Sequence, residues 1–153
     1  MRVGVVDGGL TRELRRSVLR PSFGPGDPLP GDDLPADLYV VHLAAVDDDG
    51  TARSTCFVYA EPCPWRPGEP AWHLRQMASD PAYRGAGLGR AVVSAAADTA
   101  IAAGAAVLWC NARESARPFY ERCGFIGHGG VFTDEQHVVP HRQMWRRLGP
   151  VTP

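Results

Sequence analysis

A glycine-rich loop lies between a strand-like segment and an alanine-rich helical segment, and this order constrains the fold more than any other feature. Residues 72–78 (WHLRQMA) alternate as a strand does, and the loop 84–89 reads Arg-Gly-Ala-Gly-Leu-Gly. A helix is expected from Leu88 to the stop at Gly104. The residues predicted to face inward on this helix are Leu88, Val92, Ala96 and Ala103. This order predicts an α/β fold.

The same loop predicts a binding site for an anion. Glycine allows positive φ and lets a ligand approach the main chain closely. The first N–H groups of a helix have no partner within the helix, and the helix dipole places partial positive charge there. Arg84 can add charge-assisted hydrogen bonds to a phosphate. A turn that only joins the strand to the helix is the alternative interpretation.

Two nucleotide-binding motifs are excluded by the residues of this loop. Counted from Gly85, the sequence reads Gly-Ala-Gly-Leu-Gly-Arg, so the third glycine comes one place too early for the dinucleotide fingerprint. A P-loop needs a lysine, and all 16 basic residues of the chain are arginine. The absence of lysine also excludes Schiff-base chemistry on a lysine side chain.

Length and composition favour one globular domain over residues 1–153. Apolar residues make up 44% of the chain and charged residues 22%. The net charge of −1 argues against nucleic-acid binding. No apolar run approaches a membrane span and the N-terminus lacks a signal-peptide pattern, so the prediction is a cytoplasmic protein without a membrane partner. The four cysteines form no CxxC pair, which predicts reduced thiols and no bound metal.

The remaining segments predict a sheet of mixed direction. Predicted helices cover 11–20, with Thr11 as N-cap, and 116–123, with Ser115 as N-cap. In the first helix, Leu14, Val18 and Leu19 share one face and the arginines lie opposite. Predicted strands cover 38–46, 51–59, 106–110, 125–132 and 141–148, and proline-rich loops cover 21–35 and 61–70. The turn Asp47–Gly50 is interpreted as a solvated hairpin tip, and the spacing of His42, His128, His137 and His141 matches no metal-ligand template.

Two motifs in this order resemble those of the GNAT superfamily of N-acetyltransferases. Residues 79–90 are similar to its signature Q/R-x-x-G-x-G/A, with Arg84, Gly87 and Gly89 at the matching positions. Residues 111–125 are similar to its second segment, which ends in F/L-Y-E-x-x-G-F. The two motifs together cover about residues 72–125. The resemblance implies a single-domain GNAT-like fold with a mixed central β-sheet, splayed strands and flanking helices.

The resemblance also implies acetyl-CoA as co-substrate, no metal, and the residues that would bind it. Tyr120 is the implied proton donor to the leaving thiolate, and an N–H group near Ala78 would polarise the thioester carbonyl. Asn111, expected at the end of its strand, would bond the pantetheine arm. The pyrophosphate would contact Arg84, Gly85, Ala86, Gly87, Leu88, Gly89 and Arg90, and the arm would pair with Met77, Ala78 and Ser79.

The implied reaction is direct acetyl transfer to a primary amine of a small molecule or peptide. His73 and Glu69 are candidate bases, and the base stays unassigned. The acidic residues in or just after the first proline-rich loop either attract a cationic amine or only keep the loop soluble. They are Asp27, Asp32, Asp33 and Asp37.

Several alternatives remain open at this point. The chain is alternatively a non-catalytic CoA-binding sensor or interaction domain, or a transferase for a different acyl-CoA. Trp65 either lines a substrate pocket or only packs, and the final strands contribute either to a homodimer contact or to the acceptor pocket.

Overall fold

The chain folds into a seven-stranded mixed sheet with three α-helices, seen in a computed structural model that describes residues 1–149. The strands follow the order β1-β2-β3-β4-β5-β7-β6 in the sheet. The elements are β1 (Arg2–Val6), α1 (Arg12–Leu19), β2 (Val41–Val46), β3 (Ala52–Ala60), β4 (Ala71–Ser79), α2 (Leu88–Ala102), β5 (Val107–Arg113), α3 (Arg117–Arg122), β6 (Ile126–Phe132) and β7 (His141–Arg147). The predicted α/β class and mixed sheet are confirmed.

Two compact units make up the described chain. The first comprises residues 1–59 and 74–96, and the second comprises residues 60–73 and those from 97 onward. The single domain over residues 1–153 therefore stays a prediction, and residues 150–153 lie outside the described part of the chain.

The first unit is built on an antiparallel arrangement of β1, β2 and β3. Leu43 of β2 lies opposite Cys56 of β3 in the register, and both side chains are fully buried. Helix α1 packs Leu14 against small residues of these strands and of β4, which fixes the helix to the sheet. This cluster consists of Leu14, Ala44, Val46, Ala52 and Ala78. The amphipathic pattern of residues 11–20 predicted that buried face.

The helix starts differ from their predictions in how they are capped. Thr11 precedes α1 as expected, but its hydroxyl donates to the carbonyl of Gly8 at 2.8 Å and accepts no cap bond from α1. Ser115 lies inside a short 3-10 turn, Glu114–Ala116, so Ala116 takes the cap position of α3. The Ser115 prediction was wrong because an extra turn precedes the helix.

Helix α2 agrees with its predicted pattern except at its C-terminus. Val92 and Ala96 are fully buried, while Arg90, Ser94 and Asp98 are exposed. Leu88 is only partly buried, and Ala103, which follows the last helical residue Ala102, is exposed. Gly104 follows with a φ of 87°, the left-handed conformation expected of a helix stop.

The second unit is built on β5, β6 and β7, which pair in antiparallel fashion. Cys63, Ala71, Val107 and Trp109 form its buried cluster, against which Trp65 and Trp145 pack. The N-terminal half of β4 pairs with β5 in parallel from Ala71↔Val107 to His73↔Trp109. Both strands continue beyond the last of these pairs, β4 to Ser79 and β5 to Arg113. Asn111 was predicted to lie at the end of its strand, and the structure places it inside β5, two residues before the strand ends.

Candidate functional site

The glycine loop of the first unit takes the conformation that its glycines permit. Gly85 and Gly87 have φ values of 83° and 80°, in the left-handed region that side chains other than glycine seldom adopt. A Cβ atom added at either position would meet no heavy atom within 4 Å. Glycine is therefore favoured at both positions by the backbone turn and not by close packing, and the surface beside both residues is open.

The loop and the start of α2 present a run of free amide groups. The N–H groups of Arg84 and Ala86 donate weakly within the turn, to Pro81 and Tyr83 at 3.4 and 3.3 Å. Within residues 1–149, five further amides have no acceptor, and the first helical bond runs from Ala91 to Gly87. These five are the amides of Gly85, Gly87, Leu88, Gly89 and Arg90. Unpaired amides at a helix N-terminus can hold an anion.

Two arginine side chains lie at either end of this amide run. Arg84 and Arg90 are exposed, and within the described chain neither forms an ion pair. Guanidinium groups at these positions can supplement the amides with charge-assisted hydrogen bonds. The loop thus combines a helix N-terminus, open glycines and two available cations, which is the donor set that a diphosphate requires.

Arg53 of β3 anchors the turn that leads into the loop. Its guanidinium donates to Asp80 at 2.9 Å and to Asp47 at 2.7 Å, and it lies 4.9 Å from the ring centroid of Tyr83. The Ala82 amide and Arg53 hold the pKa of Asp80 below its ordinary value. Asp47 is consequently not a merely solvated hairpin residue. Sequence reasoning missed Arg53, because no local motif reports a pair 27 residues apart.

The end of β4 carries an unusual backbone at Gln76. This residue has a φ of 56°, the only positive φ among the non-glycine residues of the described chain, and its Oε1 atom is buried without a partner. Strain of this kind is found at functional sites. It immediately precedes Met77, Ala78 and Ser79, the residues predicted to pair with the pantetheine arm. The hydroxyls of Ser79 and Ser54 lie 2.8 Å apart and tie this end of β4 to β3.

In the second unit, Asn111 has a polar atom that lacks a partner. Its side-chain oxygen is buried, and no hydrogen-bond donor in residues 1–149 reaches it. Its register partner on β7 is Gln143. A buried, unsatisfied carbonyl oxygen is unfavourable unless a ligand or water bonds it. Asn111, the residue that the second motif predicts to bond the pantetheine arm, therefore has a side-chain oxygen that can accept a hydrogen bond.

Tyr120 of α3 is buried among aromatic rings. Its side chain is 5% exposed and makes edge-to-face contacts with Phe119 and Phe125, at centroid separations of 5.2 and 5.3 Å. These contacts satisfy the packing role that helical spacing alone predicts. They also fix the orientation of the ring, which a proton donor requires. Its role as a proton donor stays a prediction.

The two candidate bases have different surroundings. Glu69 accepts hydrogen bonds from Arg66 and Arg147, which lower its pKa to about 2. His73 is buried, its Nδ1 lies 2.6 Å from Glu61 Oε2, and its ring stacks on Trp109 at 3.8 Å. A carboxylate with so low a pKa is a weak base, so His73 is the stronger of the two candidates.

The acidic loop offers less free charge than its sequence suggests. Asp32 receives two hydrogen bonds from Arg12, at 2.8 and 2.7 Å, and Asp27 accepts from the amide of Gly24. These hydrogen bonds give the carboxylates of Asp32 and Asp27 a structural role within the protein. Trp65 packs against Trp109 and stacks on His128 at 4.6 Å, which favours the packing interpretation of that residue.

Residues 1–149 contain neither a candidate membrane-spanning helix nor a cluster of metal-binding side chains. None of the helices there is both long and apolar enough to cross a bilayer. No three or more His, Cys, Asp or Glu side chains in this range are grouped to hold a metal ion.

Comparison with known proteins gives sequence and structural relatives. A curated protein of Trypanosoma brucei brucei named glucosamine 6-phosphate N-acetyltransferase is 35% identical over 63 residues, which are 41% of this chain and 43% of that protein. The match thus spans less than half of the relative. A crystal structure of aminoglycoside 6′-N-acetyltransferase complexed with coenzyme A is 16% identical, covers 100% of both chains and has a TM-score of 0.73.

A second solved structure is similar over slightly less of the chain. An acyl-CoA N-acyltransferase from Pseudomonas aeruginosa is 24% identical, covers 90% of this chain and 88% of its own, and has a TM-score of 0.65. At these identities the structural matches establish the fold. The sequence profile described as the acetyltransferase (GNAT) family matches residues 12–125, which include the glycine loop, Asn111 and Tyr120. The chain belongs to the acetyltransferase (GNAT) family, as its two motifs predicted.

Proposed function

We propose that this chain transfers an acetyl group from acetyl-CoA directly to a primary amine. The observation that carries the proposal is the run of five free amides at the loop and the start of α2, with Arg84 and Arg90 beside it. A diphosphate is the part of acetyl-CoA that such a donor set recognises. Membership of the GNAT family supports acetyl transfer as the reaction.

The remaining predicted contacts are made to the pantetheine arm of acetyl-CoA, which extends from the diphosphate. Met77, Ala78 and Ser79 would pair with the pantetheine arm as an added strand pairs with a sheet edge. The β4–β5 register ends at His73↔Trp109, which supports the predicted splay of these strands. Asn111 would donate or accept a hydrogen bond with the amides of the arm, and its unpartnered Oδ1 supports this role.

Acetyl-CoA supplies an activated thioester, and the residues of the chain orient it and move protons. Binding both reactants in one site removes the entropic cost of their encounter. An N–H group near Ala78 would hydrogen-bond the thioester oxygen as negative charge develops there. A phenol remains protonated at neutral pH, so Tyr120 would donate its proton to the departing thiolate.

The amine must lose a proton to attack the thioester carbon. We assign this step to His73, directly or through water, with Glu61 orienting the imidazole through Nδ1. The names of the trypanosomal relative and of the CoA-bound structure both contain amino-sugar acceptors, which supports an amine as the acceptor class.

A different acyl donor and a non-catalytic CoA-binding role are the competing functions. The P. aeruginosa structure is described as an acyl-CoA N-acyltransferase, a name that specifies no acyl chain. The acyl chain that this protein prefers is therefore a quantity to measure. Tyr120 and Asn111 at their motif positions favour an enzyme over a sensor.

Calorimetric titration with acetyl-CoA, followed by thiol release over a panel of primary amines, tests the proposal. We expect micromolar binding and amine-dependent release of CoA. Folded protein that binds no acetyl-CoA would refute the proposal. Binding without turnover on any amine would identify the sensor role, and faster release from succinyl-CoA than from acetyl-CoA would identify the other donor.

A further inference from the structure

A cavity of about 280 Å³ lies in the first unit, between α1, the 21–35 loop and the strands β2 and β3. Its volume exceeds that of several water molecules, so it can hold a phosphate or a carboxylate with a few attached atoms. The polar side chains that line it are Arg12, Arg15, Asp32 and His42, and the ring of Phe57 forms part of its wall.

Arg15 is the unusual residue of this cavity. It is 4% exposed, and its Nε donates to the hydroxyl of Thr11 at 3.1 Å. No carboxylate in residues 1–149 lies within ion-pair distance of it. A buried charge is ordinarily paired, because removing it from water is unfavourable. The guanidinium thus lines the cavity without a carboxylate in ion-pair contact, and Asp32 acts on it only at longer range.

The neighbouring groups do not neutralise this charge. Asp32, the one acidic residue among the lining residues, is engaged by Arg12 in a two-bond ion pair. Burial, and then the charge of Arg15, lower the pKa of His42, so its imidazole is neutral at pH 7. Two arginines and one aspartate leave the cavity with a net charge of about +1. The complementary ligand is an anion.

The backbone of the 21–35 loop packs closely against the ring of Phe57, which forms part of the cavity wall. A Cβ atom at Gly31 would lie 2.7 Å from Phe57 Cζ, and Gly31 has a φ of 99°. Only glycine allows the 21–35 loop this approach. The loop that sequence analysis left without a function thus forms one side of a defined cavity.

The cavity is connected to the reacting segment of β4 through shared contacts. The guanidinium carbons of Arg15 and Arg75 lie 5.7 and 5.8 Å from the centroid of the same Phe57 ring. Arg75 also donates to the Tyr59 hydroxyl at 3.3 Å and immediately precedes Gln76. A molecule that places one end in the cavity is therefore close to the strand expected to hold the acetyl group.

We infer that this cavity binds an anionic group, a phosphate or a carboxylate, carried by the acceptor amine, with Arg15 as its main charged contact. The inference rests on the proposed acetyl transfer and narrows the acceptor to amines that carry a negative charge away from the nitrogen. Arg15 then acts as a specificity residue, and the chemical step itself does not use it.

Matched amine pairs test this inference. Glucosamine 6-phosphate against glucosamine, and 4-aminobutyrate against 4-aminobutanamide, differ in an anionic group placed away from the amine, and the two pairs separate phosphate from carboxylate. We expect kcat/KM to be at least about tenfold higher for the charged member of one pair, as charge-assisted hydrogen bonds produce. Equal values within both pairs would overturn the inference, whatever the variants show.

Substitutions in α1 then assign the effect. Arg15→Gln is expected to remove the preference by raising KM for the charged amine, and Arg15→Lys is expected to restore part of it. Arg122→Gln, at an exposed arginine of α3 outside the cavity lining, is the control and should keep the full preference. If folded Arg15→Gln keeps the preference, the inference is wrong.

A binding measurement separates this inference from the proposed function. Wild-type protein without acetyl-CoA is titrated calorimetrically with both members of each pair, and tighter binding of one charged member is expected. Protein that binds acetyl-CoA and acetylates amines without regard to their charge refutes only the anion site. Protein that binds the charged amines but never acetyl-CoA refutes the proposed function and leaves the anion site standing.

Discussion

Arg53 donates to Asp80 at 2.9 Å, and this pair joins β3 to the turn that begins the glycine loop. Arg53 also donates to Asp47 at 2.7 Å, so one guanidinium links the β2–β3 turn to the segment that precedes α2. Both carboxylates have lowered pKa values, for which hydrogen bonds from backbone amides are the first cause and Arg53 a further one. The segment that we propose to bind the diphosphate is thus held by a contact outside the family motif.

Arg53→Gln is expected to weaken acetyl-CoA binding while the protein stays folded. Exposed ion pairs are individually weak, so the loss of two should raise the dissociation constant for acetyl-CoA modestly, by roughly a few-fold. Calorimetry with acetyl-CoA measures this. Arg147→Gln, which breaks the pair with Glu69, is the control and should leave binding unchanged. Equal binding by wild type and Arg53→Gln would show that the loop holds its shape without this anchor.

Gly87→Ala should lose acetyl-CoA affinity beyond its effect on stability. A Cβ atom at a φ of 80° costs about 1–2 kcal/mol of folding free energy, and here it would also project from the amide run. Gly104 has a φ of 87° and equally open surroundings, just after the C-terminal end of α2 and away from the glycine loop. Gly104→Ala is therefore a control matched in backbone strain.

Thermal unfolding and calorimetry together separate the two effects. Both alanine variants should lose similar stability, and only Gly87→Ala should bind acetyl-CoA more weakly, by about tenfold or more. A parallel loss of affinity in the two variants would mean that strain alone weakens binding and that the amides of the loop are not the diphosphate site.

Tyr120→Phe should lower kcat and leave acetyl-CoA binding intact. The substitution removes only the hydroxyl and keeps the ring contacts with Phe119 and Phe125. General acid catalysis contributes typically 10²–10⁴-fold, so we expect a fall of at least about a hundredfold in kcat. Steady-state kinetics at saturating acetyl-CoA measures it, with Tyr39→Phe as the control for removing an exposed phenol. An unchanged kcat would leave Tyr120 as a core residue alone.

Asp32→Asn should destabilise the protein at neutral pH and have little effect near pH 2. The hydrogen bond from Arg12 lowers the pKa of Asp32 from 3.8 to about 2. A lowered pKa means that the ionised carboxylate stabilises the fold above pH 4, and that this contribution disappears as pH falls toward 2. After allowance for its partial exposure, the contribution at pH 7 is about 1 kcal/mol.

Urea unfolding at pH 7 and at pH 2.5 checks the sign of this effect. Asp33→Asn, at the neighbouring exposed position, should show a small difference from wild type at both values. A destabilisation by Asp32→Asn that is equal at pH 7 and pH 2.5 would show that the Arg12 pair does not set the pKa of Asp32.

The elements predicted from sequence were those whose signal is local. The glycine loop, the inner face of α2 and the second motif each depend on residues a few positions apart, so periodicity and turn chemistry suffice. Strand β1 (Arg2–Val6) was missed because it is short and largely exposed, so no buried face marks it in the sequence. Its place at the sheet edge comes from pairing with β2, 36 or more residues later.

The parts of the site that depend on distant contacts could not be predicted from sequence. Arg15 looked like one more exposed arginine of an amphipathic helix, and the cavity that buries it is formed by the 21–35 loop and two strands. Asp47 was interpreted as solvated, and Asp32 either as attracting an amine or as keeping the loop soluble, because their arginine partners lie 6 and 20 residues away. The ion-pair partner of a charged side chain can therefore be identified only from the folded structure.

The pH dependence of the reaction should distinguish His73 from Glu69 as the base. A base acts when it is deprotonated, so activity falls as pH drops through its pKa. The pKa of Glu69 is lowered to about 2, so this carboxylate stays ionised throughout an assay range of pH 5–9 and can produce no acidic limb there. A histidine ordinarily titrates near 6.5 and can. We therefore expect Glu69→Gln to keep the wild-type profile of kcat/KM.

His73→Asn should lower kcat and remove one acidic limb from that profile. Protonation of the acceptor amine itself produces a limb in every variant, so only the limb that disappears belongs to His73. Glu61→Gln, which removes the carboxylate 2.6 Å from Nδ1, should shift this limb to lower pH, because the imidazolium loses its neighbouring negative charge. A limb that persists in His73→Asn and vanishes in Glu69→Gln would reverse the assignment.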